Sequence, residues 1–113
     1  MKFSRKQHND FGWNRLNGWV YNTKEDFANI SNSYIEITGT HGKVKNVLSD
    51  ISYFVIDGTG EFFVKDIWVS VKKEDVIIIP KDTPYDYRAK DCTMKLLCMF
   101  TPAFDPKFDI KLV

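Results

Sequence analysis

From about residue 34 onward the chain alternates short apolar runs with turn residues. Residues 34–38 alternate apolar and polar positions and stop at Gly39, the pattern of a strand with one buried face. Residues 44–48 are a weaker candidate. Residues 52–56 run into Asp57-Gly58-Thr59-Gly60, a tight-turn signal, and the strands 61–64 and 67–71 flank Lys65-Asp66, a short hairpin connection. Residues 76–79 are closed by Pro80, and 85–88 and 93–100 complete the set. Strands this short, with turn signals between them, predict an all-β sandwich or barrel. Only residues 24–29 read as helical, over about two turns.

Three of these strands break the alternation. Residues 52–56, 76–79 and 96–100 are apolar at both parities, whereas a strand between core and water should carry apolar side chains on one face only. With no helix to cover the second faces, either the N-terminal segment or a second chain must do so. A homodimer is the favoured expectation. Phe11, Trp13, Trp19 and Tyr21 make residues 1–33 an aromatic-rich arm that either lids its own barrel or crosses to a partner subunit. The barrel is expected over 34–104, with a tail at 105–113.

At 113 residues the chain has room for one core. Charge is nearly balanced, 16 basic against 15 acidic side chains, without a basic cluster, so nucleic acid is not an expected partner. No run reaches membrane-spanning length, and the basic N-terminus lacks the apolar stretch of a signal peptide, so no membrane partner and a cytoplasmic location are expected. Cys92 and Cys98 form no CxxC and read as free thiols, Cys98 in the core. Asn29-Ile30-Ser31 matches a glycosylation acceptor that such a location would leave unused.

The stretches "SYFVIDGTGEFFV" and "VSVKKEDVIIIPKDTPYDY", followed by "MFTPAFDP", resemble the cupin superfamily across residues 34 to 104. The resemblance rests on the Gly58-x-Gly60 turn, the Asp75-to-Pro80 spacing and Pro84. It implies a single-domain double-stranded β-helix, or jelly-roll barrel. It also implies a metal held by two histidines and a glutamate from one motif and a histidine from a second. Those positions fall near Lys45, Val47, Ile51 and on Tyr85, none a usual ligand. His8 and His41 are the chain's only histidines, too few for the set. The expectation is no metal and no cofactor.

Tyr85 and Tyr87 share a parity and, with Tyr85 in the place of the inward histidine, both face the lumen. Tyr53 joins them. Three phenols around one cavity suit a small polar ligand, carbohydrate-like in shape. Alternatively the rings fill the lumen, and the chain serves as a structural or protein-interaction subunit. For acid/base chemistry the candidates are His41, in the loop Gly39-Thr40-His41-Gly42, and Tyr85. Lys45 and Asp50 flank the first motif as candidate ligand contacts. The metal-free members of the resembling family include sugar-nucleotide epimerases and ketoisomerases, so an isomerase or epimerase stands beside a simple binding role.

Overall fold

The computed structural model describes residues 1–112. They form strands β1 (Phe11–Trp13), β2 (Leu16–Asn22), β3 (Ser31–Ile37), β4 (Val44–Asn46), β5 (Asp50–Asp57), β6 (Gly60–Val64), β7 (Ile67–Val71), β8 (Val76–Ile79), β9 (Tyr85–Ala89), β10 (Met94–Thr101) and β11 (Asp109–Lys111), with one 3-10 turn at Pro106–Phe108. One antiparallel sheet runs β1-β2-β3-β10-β5-β8 and the other β11-β4-β9-β6-β7. Their inner faces enclose a core in which Ile37, Val55, Phe62, Met94 and Leu96 are fully buried. This is the all-β architecture that the strand pattern implied, and the jelly-roll barrel that the resemblance implied. Among the described residues no helix is long and apolar enough to cross a membrane.

Alternation decides what the barrel encloses. Along β5, Ile51, Tyr53 and Val55 are buried, while Phe54 between them is exposed. On β9, Tyr85 and Tyr87 are buried and Arg88 points outward to Glu61, its Nη2 2.9 Å from Oε1. The β5–β6 turn needs its glycine. Gly58 has φ +87°, and a Cβ there would lie 2.5 Å from the Thr93 carbonyl oxygen.

One expectation is corrected. Residues 24–29 form no helix: Asp26 N and Phe27 N both donate to the Thr23 carbonyl, while Asp26 Oδ2 accepts from Thr23 N. That side-chain bond closes a single turn, and β3 begins at Ser31 before helix can propagate. The aromatic segment joins this chain's own sheet, and Phe11 and Trp13 line the cavity between the sheets. β2 pairs with β3 and β1 with β2 within this chain, adding two strands at the sheet edge. It therefore sits at the opposite edge from β8 and leaves the apolar side chains of Phe54, Val76 and Ile78 open on the outer face.

Candidate active site

Between the sheets lies a cavity of about 330 Å³, so the lumen is not filled by its tyrosines. Its floor is Tyr53 from β5 and Tyr85 and Tyr87 from β9, with the Cys98 thiol from β10 beside them. The rings form one packed cluster. Tyr87 stacks on Phe62 at 4.7 Å between centroids, and Tyr53 lies 5.0 Å from Tyr87 and 6.1 Å from Tyr85. The Tyr53 and Tyr85 hydroxyls are 3.4 Å apart, at the long end of a hydrogen bond. The Tyr87 hydroxyl is buried and has no hydrogen-bond partner among the described residues. Burial pushes all three phenols well above their ordinary value, so they stay protonated and serve as hydrogen-bond or proton donors. Burial likewise pushes the Cys98 thiol up to about 12, which removes it as a nucleophile near neutral pH.

His41 belongs to this cluster. The loop at 39–42 runs antiparallel to β9: Thr40 bridges Arg88, His41 N donates to the Tyr87 carbonyl and Ala89 N to that of Gly39. His41 is thus the cross-strand neighbour of Tyr87, which is why the imidazole stacks on that ring at 4.5 Å and lies 5.6 Å from Tyr85. Asp86 fastens the loop from the outer side of β9. Its Oδ1 accepts from Gly42 N at 2.8 Å and from Tyr87 N at 2.7 Å. Trp13, at the tip of the β1–β2 hairpin, packs edge-on against the imidazole at 5.2 Å and donates its Nε1–H to the His41 carbonyl at 2.9 Å.

The protonation state of His41 follows from its contacts. Nδ1 lies 2.7 Å from the Gly42 carbonyl oxygen, an acceptor only, so the proton is on Nδ1 and Nε2 keeps its lone pair. Burial holds the imidazole below its ordinary pKa, against the opposing pull of the Gly42 hydrogen bond and the charges of Asp86 and Asp109. A neutral imidazole with Nε2 available, over protonated phenols, is a general base beside general acids.

The structure therefore joins His41, Tyr53, Tyr85 and Tyr87, as the sequence suggested, and separates Lys45 and Asp50 from them. Lys45 takes the outward parity of β4, and its Nζ lies 3.1 Å from Asp82 Oδ1. Asp50 is exposed, with Oδ1 accepting from Lys81 N at 2.8 Å. Neither is among the residues that line the cavity. Sequence reasoning passed over Asp109 and Lys111, which reach the cavity from β11, and the aromatic wall of Phe11, Trp13, Phe100 and Phe104. No pattern announced β11, three residues long with both its charged side chains at the cavity.

The metal site of the resembling family does not fit this chain. Of its four positions, Lys45 is turned outward, Val47 is exposed, Ile51 is core and Tyr85 offers a neutral phenol. Among the described residues no three His, Cys, Asp or Glu side chains stand together to hold an ion.

The double sheet and its lumen are those of a cupin barrel. Solved structures of the same fold include the Streptomyces protein Pac13 with uridine, 19% identical at a TM-score of 0.86, covering 99% of this chain and 90% of that one. Pac13 is described as a nucleoside dehydratase, and it is also solved with uridine in variants with a tyrosine replaced by phenylalanine. KdgF from Halomonas sp. is 13% identical at a TM-score of 0.74, covering 82% of this chain and 84% of that one. Ectoine synthase from P. lautus is 18% identical at a TM-score of 0.75, covering 93% and 81%. No family model matches the chain, and no curated protein does.

Proposed function

We propose that the chain is a metal-independent lyase that dehydrates a small sugar-bearing metabolite of nucleoside type. The observation that carries the reading is the pairing of a base with an unsatisfied acid. His41 Nε2 keeps its lone pair because Nδ1–H is bound to the Gly42 carbonyl, and the buried Tyr87 hydroxyl next to it has no partner. A buried donor left unpaired costs roughly 1–3 kcal/mol, and a ligand oxygen would satisfy it. Support comes also from Pac13, a nucleoside dehydratase of the same fold, which is solved with uridine in variants of one histidine and of two tyrosines.

The step needs a hydrogen on carbon beside a carbonyl and a hydroxyl on the next carbon. Nε2 of His41 takes that proton, and the C–H electron pair moves into the carbonyl as an enolate. The pair returns to form the C=C bond as the C–O bond breaks. A tyrosine phenol, Tyr87 or Tyr85, gives its proton to the departing oxygen, which leaves as water. The imidazolium then returns a proton to the phenolate, and both groups are restored. The isomerase or epimerase expectation shares the first half, but the proton returns to carbon and no water is lost.

Pyrimidine nucleosides oxidised at a ribose carbon to an aldehyde or ketone are the substrates that test this. Mass spectrometry is expected to show loss of one water, with the absorbance of a conjugated carbonyl. A product of unchanged mass would replace the dehydratase with an isomerase, and neither turnover nor nucleoside binding would remove the reading. The same proposal keeps the homodimer, with a second copy over the open strip of Phe54, Val76 and Ile78. Light scattering should give twice the chain mass, and the chain mass at all concentrations would sink that part.

A further inference from the structure

We infer that β11 reads the edge of the ligand's flat ring, with Asp109 accepting a ring N–H and Lys111 donating to the adjacent carbonyl. The ligand is then a nucleoside carrying an unsubstituted lactam edge, rather than a plain sugar. This rests on the nucleoside reading above and adds the part of the ligand recognised and the residues that recognise it.

Three observations carry it. First, Asp109 and Lys111 are alternate residues of one strand, so both take the same face, and both line the cavity. A carboxylate only accepts and an ammonium only donates, so the pair presents an acceptor next to a donor, the complement of an N–H beside a C=O. Second, the Asp109 carboxylate is held in place. Asn46 Oδ1 accepts from Leu48 N at 3.0 Å and Ser49 N at 2.7 Å, which orients the amide so that its Nδ2 reaches Asp109 Oδ1 at 3.3 Å. Oδ2 accepts no side-chain hydrogen bond among the described residues, and Asp109 lines the cavity. Third, the wall of Phe11, Trp13, Phe100 and Phe104 is aromatic, the surface that stacks on a planar ring, while the hydroxyls that suit a sugar lie at the tyrosine floor. The same cavity thus offers a planar ring both an aromatic face and the Asp109–Lys111 edge.

The test is calorimetric titration of uridine and 3-methyluridine, whose ring N–H is blocked, into the wild-type chain and Asp109→Leu. Wild type is expected to bind 3-methyluridine at least about tenfold more weakly than uridine, a difference near 1.4 kcal/mol. Asp109→Leu should lose affinity for uridine and bind both about equally. Equal wild-type affinities overturn the assignment without help from any variant. So does an Asp109→Leu protein that weakens both ligands yet keeps their ratio, the result of a purely structural role. Wild type that binds neither nucleoside overturns the nucleoside reading and this inference with it. Wild type that binds both alike overturns this inference alone.

Discussion

Replacing His41 by glutamine is expected to lower turnover of an oxidised nucleoside by about 10²–10⁴-fold, the range that a positioned general base supplies. Affinity for uridine should stay within a few fold. Glutamine keeps the polar surface toward Tyr87 and loses only the basic nitrogen. The backbone contacts that hold the loop, His41 N to the Tyr87 carbonyl and Trp13 Nε1 to the His41 carbonyl, do not depend on the side chain. A pH profile sharpens the assignment. Because burial holds the His41 imidazole below its ordinary value of 6.5, the base stays neutral into mildly acidic solution, and kcat/KM should fall only below that value. The acid limb should disappear from the residual rate of the variant. Undiminished turnover in His41→Gln would place the base elsewhere. Equal losses of affinity and melting temperature would make His41 a packing residue.

The strands from β3 to β10 are legible as short apolar runs bounded by turn residues, and β5, β8 and β10 carry that signal without alternating. Tyr53, Tyr85 and Tyr87 were assigned to the lumen on parity and a family likeness alone, and they line it together. β2 escaped because its inward positions hide the period. Gly18 has no side chain, and the Phe11 ring fills the place: a Cβ on Gly18 would lie 1.9 Å from it. Lys45 and Asp50 are close to the motif in sequence only, and parity on β4 turns Lys45 away from the lumen. His41 is identifiable as a titratable residue in a loop, but not as a half-buried one. Its burial comes from bridging of the loop to β9 and from Trp13, a residue 28 positions away, and no local pattern encodes either contact.

Tyr87→Phe is expected to move stability and activity in opposite directions. The Tyr87 side chain is fully buried, and its hydroxyl has no partner among the described residues. Removing an unsatisfied buried hydroxyl relieves its desolvation cost and leaves the stacked contacts with Phe62 and His41 in place, since the ring is unchanged. The folded chain should gain about 1 kcal/mol, seen as a melting-temperature rise of roughly 4–8 °C for a domain of this size. Turnover should drop by about 10²-fold or more, because the lost proton donor acts on the departing oxygen. Tyr53→Phe provides the contrast. Its hydroxyl faces that of Tyr85 at 3.4 Å, so removal gives up a hydrogen bond and should yield no such gain. A Tyr87→Phe protein that melts lower and turns over normally would mean the hydroxyl is satisfied and idle, and the acid would then be Tyr85. Higher melting with lost turnover would mean the fold tolerates an unpaired donor at its centre because the ligand completes it, as expected of a preorganised active site.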